Sequence, residues 1–338
     1  MRNNALAILL TLSIYCFGIA QTFSAKVLDY KTKTPIEIAS VYFDNTTIGT
    51  TTNAKGEFSI SYTDAIQSAL IISYLGYKTE TIVDYRQKTN DIIYLKPINN
   101  ILEEVLITAD DGLTRRQKLR IFRKQFLGFT RFAQSCKILN EDDLILRYDK
   151  KQKQLTAHAI NPILIRNKGL QYFVSFDIKS FKIKFNYVEE RNSVYEIKSV
   201  QYSGNTFYKN LKKFNKKKAE KNRKKAFNGS VLQFMRALYN KKLENKGYTV
   251  FFKSFKVNPW NHFKIESVEN SSKKQVSLKN PVSILYDKKQ QSKISFLNPH
   301  ILIDNYGNYS GVASVMFSGY MGNQRVGDLL PNDYGLID

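Results

Sequence analysis

The chain has 338 residues, enough for two domains with separate cores, and its 52 Lys and Arg against 29 Asp and Glu give a formal charge of +23. Two cysteines, Cys16 and Cys136, cannot form the disulfide framework of a small stapled domain, so hydrophobic burial has to supply the stability. The charge would favour nucleic acid in a cytoplasmic protein, but the first residues redirect it. Arg2, the apolar run Ala5 to Phe17 and the small residues of Gly18-Ile19-Ala20 predict a signal peptide at 1–20, cleaved before Gln21. The mature chain is therefore expected in the periplasm or associated with an outer membrane, with no nucleic acid partner. After cleavage no apolar run approaches the roughly 20 residues that a membrane helix needs.

From Thr22 to about Thr108, short apolar runs alternate with turn residues, the pattern of an all-β sandwich. Strands are expected at Phe23–Leu28, Ala39–Phe43, Gly56–Ser61, Leu70–Tyr74, Lys78–Val83, Ile92–Leu95 and Leu102–Ile107. Asn53-Ala54-Lys55-Gly56 and Gly76 mark reversals. Tyr74 and Tyr77 are expected in the core with hydrogen-bonded hydroxyls, a glycan-stacking platform being the competing role. The ordered pieces Ala25–Asp29, Thr34–Val41, Ile48–Phe58 and Ser73–Lys78 resemble the carboxypeptidase-like regulatory domain of bacterial envelope proteins. That resemblance implies a non-catalytic, transthyretin-like β-sandwich over residues 21–108, with Asn53 standing where Asp is usual.

Ile101–Ala109 followed by Asp110-Asp111-Gly112 resembles the junction after such a domain in TonB-dependent transporters, but the remaining residues are too few for a plug and a large barrel. Residues 109–338 are expected to form a larger β-rich (α+β) domain with two helices. The first is Leu113–Leu127, with Leu119, Phe122 and Phe126 on one face; the second is Ser230–Leu243, capped by Ser230 and ended near Gly247. Strands are expected at Leu144–Tyr148, Leu155–Ile160, Tyr172–Ile178, Phe181–Tyr187, Val194–Tyr202, Tyr248–Phe255, Phe263–Val268, Val276–Tyr286, Ile294–Leu297 and Val312–Phe317. The apolar parity changes between Phe176 and Phe181, which calls for a bulge near Lys179-Ser180. Phe126–Gly128, Ala133–Asn140, Leu155–Ala157, Ser318–Gly322 and Arg325–Tyr334 resemble the second half of uncharacterised envelope proteins that begin with the same regulatory domain. The fold class is thus mainly β.

The chemistry-bearing residues are scattered. His158, His262 and His300 stand apart without His-x-x-Glu or His-Glu-x-x-His spacing, and His300 with Asp304 is a pair lacking a third ligand. Cys136 has no local histidine partner and reads as a small buried hydrophobe. Glu103-Glu104, Asp142-Asp143 and Glu189-Glu190 are neighbours that point to opposite faces of a strand. No catalytic residue, cofactor site or metal site is assigned. The remaining signal is the basic run of Lys212, Lys213, Lys216, Lys217, Lys218, Lys221, Arg223, Lys224 and Lys225, opposed only by Glu220. It predicts a solvated loop at 209–225 that can contact an anionic surface. The expected function is a non-enzymatic structural or binding component of the Gram-negative envelope, its partner an envelope protein, a glycan or an anionic lipid surface. The alternatives are an exported hydrolase of peptide or glycan and an accessory of an outer-membrane transporter.

Overall fold

A computed structural model describes residues 21–64, 66–87, 91–98, 112–191, 194–269, 271–310 and 314–336. The expected signal peptide, the strand Leu102–Ile107 and the pair Glu103-Glu104 lie outside the described residues. Two compact units divide the chain, one of residues up to 42 with 48–98, the other of residues 43–47 with 99–338.

The first unit is a β-sandwich. Its strands are β1 (Gln21–Asp29), β2 (Ser40–Phe43), β3 (Gly49–Thr51), β4 (Glu57–Tyr62), β5 (Leu70–Ser73), β6 (Glu80–Ile82) and β7 (Asp91–Leu95). One sheet runs β4-β1-β7, with β1 antiparallel to β4 and parallel to β7; the other runs β3-β2-β5-β6. Period-two alternation puts Phe23 and Val27 of β1 and Phe58 and Ile60 of β4 into the core, while Leu70, Ile71 and Ile72 are buried on both faces of β5. The Asn53 turn forms as expected: Asn53 Oδ1 accepts from Lys55 N and Glu57 N, both at 2.9 Å, and Gly56 takes φ +76°. A Cβ at Gly56 would sit 2.5 Å from Val27 O, so glycine is required for closeness as well as for φ. Tyr74 and Tyr77 correct the expectation of core packing, for Tyr74 is 37% exposed and Tyr77 is half-buried. Gly76 turns the chain outward between them. The expected hydrogen-bonded hydroxyl is present at Tyr77, whose Oη donates to Asp29 Oδ2 at 2.7 Å.

The second unit contains α1 (Arg115–Leu127), α2 (Arg131–Gln134), β8 (Cys136–Ile138), β9 (Leu144–Asp149), β10 (Gln154–Ala159), β11 (Ile163–Asn167), β12 (Tyr172–Glu189) and β13 (Val194–Asn210). It continues with α3 (Lys216–Phe227), α4 (Val231–Tyr239), β14 (Tyr248–Phe252), β15 (Phe255–Val257), β16 (Phe263–Ser267) and β17 (Lys274–Leu278). The last elements are β18 (Val282–Tyr286), β19 (Gln290–Phe296), β20 (His300–Ile303), β21 (Val315–Ser318) and α5 (Gly319–Gly322).

A six-stranded sheet, β8-β11-β12-β10-β9 with β13 on β12, carries the first core. Helix α1 lies on it through Phe122 and Phe126, whose rings stack at 4.8 Å, with Phe181 against Phe122 at 4.8 Å. Thr114 caps α1 in a reciprocal box with Gln117. The two runs separated by the parity change are one strand, β12, whose register against β13 shifts between Ile178 and Ser180. That bulge keeps Val174 and Phe176 in the same core as Phe181, Ile183 and Phe185. The second core joins α4 to the sheets β15-β14-β18-β19-β21 and β16-β17-β20.

Five expectations change here, the first being the helix count, since the described residues of this unit hold five α-helices where two were expected. The predicted strand Tyr248–Phe255 is a hairpin, reversed at Lys253-Ser254 with φ +47° and +69°, a turn without the usual Asn-Gly. Val276–Tyr286 is two strands in different sheets, parted before Pro281. The second helix has the expected Ser230 cap but stops at Tyr239, where Asn240 and Lys241, the latter at φ +51°, turn the chain. Residues 209–225 are not a loop: β13 runs to Asn210 and α3 begins at Lys216.

Candidate anionic-ligand site

Helix α3 forms despite its charge because Lys, Arg, Ala and Glu all have high helix propensity and because one face is tied down. Asn215 Oδ1 caps it by accepting from Lys218 N at 2.9 Å. Ala219 and Ala226, seven residues apart, are the buried positions. Asn222 Nδ2 donates to Gly169 O at 2.8 Å. Arg223 lies 3.5 Å over the Tyr172 ring and donates to Leu170 O, Gln171 O and Asn210 Oδ1.

The nine basic residues expected at an anionic surface therefore divide into two kinds. Arg223 is half-buried and anchors the helix, whereas Lys212, Lys213, Lys216, Lys217, Lys218, Lys221, Lys224 and Lys225 are exposed. Lys217, Lys221 and Lys225 follow one another at four-residue spacing on a single face. With Lys218, Asn215, Asn222 and Arg131 of α2 they line a concavity of about 450 Å³, and no carboxylate among the described residues lines it. Like charges at that spacing destabilise a helix by about 0.2–0.5 kcal/mol per pair, a cost that a bound anion relieves.

A second cavity of about 870 Å³ shares Arg131 and Lys225 with the first. Its wall carries the rings of Phe129, Phe132, Tyr286 and Tyr320 and the carboxamides of Asn228, Gln290, Asn323 and Gln324. Asp287 and Asp328 also line it. Asp328 is buried, accepts from the Thr130 hydroxyl and, at 3.4 Å, from Arg325 N, and is nevertheless pushed up to about 6 because desolvation outweighs those two bonds. Gln290 keeps a buried Oε1 without a hydrogen-bond partner among the described residues.

In these walls Tyr320 and Asp328 fall within the stretches Ser318–Gly322 and Arg325–Tyr334, and Phe129, Thr130, Arg131 and Phe132 lie between Phe126–Gly128 and Ala133–Asn140; the structure shows what brings these two regions together. Val326 N and Gly327 N donate to Phe126 O and Leu127 O at 3.1 and 3.0 Å, and Arg325 Nε donates to Gln125 O at 3.1 Å. Asn167 Nδ2 reaches Gly327 O at 2.9 Å, and Arg236 Nη1 and Nη2 bind Tyr334 O and Asn332 O at 2.9 and 2.8 Å. The C-terminal segment is a strap across the start of the unit, a role no local sequence pattern announces.

The other candidate residues do not converge. His158 and His300 are exposed, and half-buried His262 packs against Phe252 at 4.8 Å. Asp304 is used within its own turn, accepting from Tyr306 N and Asn308 N at 2.9 and 3.0 Å. Cys136 is half-buried on the first core, and desolvation raises its thiol to about 12, the opposite of an activated nucleophile. Asp143 accepts from Asn140 and Asn161, and Glu189 from Arg191 N. Among the described residues no group of three or more His, Cys, Asp and Glu is placed to hold a metal ion, and no helix is long and apolar enough to cross a membrane.

In the described residues of the first unit, strands β1 to β7 form a β-sandwich. Residues 23–107 match the family model of the CarboxypepD_reg-like domain, and this stretch of the chain is such a domain. Comparison with curated proteins finds no match to the chain.

Proposed function

We propose that the protein is an exported, non-enzymatic binding component of the Gram-negative cell envelope, in which the regulatory-type sandwich accompanies a second unit that attaches to anionic envelope material through α3. The observation that carries this reading is the lysine-lined concavity, with no carboxylate among the described residues that line it, built on a helix anchored by Arg223 and Asn222. Each basic residue held near an anionic surface contributes on the order of 1 kcal/mol before screening, so several acting together give salt-sensitive attachment. A role as partner to an outer-membrane transporter would use the same location, and cross-linking in intact cells separates the two by the partner recovered.

The test is co-sedimentation of the purified chain with phosphatidylglycerol vesicles over a range of salt. The proposal expects binding at low salt that weakens as salt rises, and a loss of at least tenfold when Lys212, Lys213, Lys216, Lys217 and Lys218 are changed to Gln. Binding that ignores both salt and these substitutions would remove attachment through α3. Fractionation with N-terminal analysis addresses location: mature chain starting at Gln21 outside the inner membrane supports it, and intact Met1 on cytoplasmic protein rejects it.

A further inference from the structure

The lysine concavity and the larger cavity beside it differ in chemistry in a way that specifies a ligand. Among the described residues the concavity is lined by five cations, Arg131, Lys217, Lys218, Lys221 and Lys225, with two asparagines and no acid. The larger cavity has aromatic rings and carboxamides, and its carboxylates, Asp287 and Asp328, are absent from the concavity wall. Arg131 and Lys225 belong to both. A ligand spanning them must carry its negative charge on one end only, because a second anionic group in the larger cavity would face the two aspartates.

The lining also separates a sugar from an acyl chain. A hydrocarbon tail would strip water from Asn228, Gln290, Asn323 and Gln324 without offering them a hydrogen bond, at a cost for each. A pyranose ring puts its C–H face on aromatic side chains and its rim of hydroxyls within reach of amides. Gln290 Oε1, buried and without a hydrogen-bond partner among the described residues, is an acceptor that a hydroxyl would satisfy. A Cβ at Gly229 would collide with that oxygen, so the glycine leaves the room in which the amide sits.

We infer that the two cavities form one site for a phosphorylated sugar, its phosphate among Arg131 and the α3 lysines and its ring between the aromatic and amide walls. The inference rests on the reading of α3 as the anion-contacting helix and names what the helix selects. The sugar phosphate can be free or the head group of a glycolipid, and both offer the same chemistry to the site.

Isothermal titration calorimetry of the full chain with glucose 6-phosphate, glucose and inorganic phosphate tests it, beside vesicle co-sedimentation. Glucose 6-phosphate is expected to bind one per chain and at least tenfold more tightly than either fragment. Lys225→Gln should weaken it at least fivefold, whereas Phe129→Ala, at a 43% exposed position, should weaken glucose 6-phosphate but leave inorganic phosphate unchanged. Micelles of phosphorylated glycolipid that compete with glucose 6-phosphate would identify a head group as the source, and absence of competition a free sugar phosphate. Equal affinity for glucose 6-phosphate and inorganic phosphate, with no effect of Phe129→Ala, would overturn the sugar site while leaving anion contact through α3 intact. Vesicle binding sensitive to the lysines without any glucose 6-phosphate binding would do the same. Saturable glucose 6-phosphate binding without vesicle binding would sustain the sugar site and reject surface attachment.

Discussion

Asp29 and Asp328 are both shielded aspartates, one in each compact unit, and their surroundings drive them in opposite directions. Asp29 ends β1 and accepts from Thr32 N at 2.8 Å, from the Tyr77 hydroxyl at 2.7 Å and from Lys31 N at 2.6 Å. These donors favour the carboxylate, the Thr32 bond most and the Tyr77 bond next, and hold it at about 2. Asp328 has two donors and far more desolvation, which lifts it to about 6. The sandwich thus answers its polar group with the local turn at Lys31 and Thr32 and one hydroxyl, Tyr77, brought in from the Gly76 turn. The second unit leaves a titrating carboxyl in the wall of a cavity, where long-range packing rather than a turn motif assembled the surroundings.

If that packing is what builds the second unit's site, breaking the strap should have the largest effect. A Cβ at Gly327 would lie 2.5 Å from Leu127 O and 2.6 Å from Ala133 Cα, backbone atoms on both sides. Gly327→Ala should destabilise the second unit by about 3 kcal/mol, read as a shift in its denaturation midpoint at constant slope. A midpoint within about 0.5 kcal/mol of the parent would mean the strap yields freely and the site does not depend on it.

The two aspartates give the next contrast. Since the fold raises Asp328 from 3.8 to about 6, protonated Asp328 favours the folded state. That contribution is whole below pH 3.8 and is lost as pH rises through about 6. Asp328→Asn, which cannot ionise, should stabilise the protein by on the order of 2 kcal/mol at pH 7.5 and make little difference near pH 4. A variant less stable than the parent at pH 7.5 would show that the carboxylate is better solvated than its burial implies. For Asp29 the sign reverses: its contribution is present above the ordinary carboxylate range and disappears as pH falls through about 2. Tyr77→Phe should raise the Asp29 titration midpoint measured by NMR while leaving it below 3.8, because the Thr32 and Lys31 donors remain.

Between these in subtlety lies Arg223, the one member of the basic run that faces inward. Arg223→Lys preserves charge but cannot reproduce the stack on Tyr172 together with three acceptors, so it should cost about 1 kcal/mol in thermal or chemical denaturation. Lys221→Arg, on the exposed face, should be neutral.

The same divide between local and long-range assembly governs what the sequence reveals. Alternation in Phe23–Val27 and Phe58–Ile60, the Asn53–Gly56 turn and the parity switch resolved by the β12 bulge are local signals, and each is legible. Helix α3 is less so: its charge density reads as a solvated loop, yet the Asn215 cap and the seven-residue spacing of Ala219 and Ala226 are in the sequence. Three lysines on one helical face could be read once the helix was granted. The cavity could not, because Phe129, Arg131, Gln290, Tyr320 and Asp328 come from segments far apart in the sequence that tertiary packing brings to one wall. Likewise Tyr74 and Tyr77 have the composition of core residues, and only the turn at Gly76 carries them outward.

The central claim is that placement, not total charge, lets the second unit hold anionic material. It is tested most directly by two fourfold variants that lose the same charge: Lys217, Lys218, Lys221 and Lys225 to Gln at the concavity, and the exposed Lys182, Lys184, Lys198 and Lys293 to Gln on the sheets. Affinity for phosphatidylglycerol vesicles at low salt should fall at least tenfold in the first and less than threefold in the second. Equal losses in the two variants would contradict the account and reduce the basic helix to one part of a uniformly charged surface.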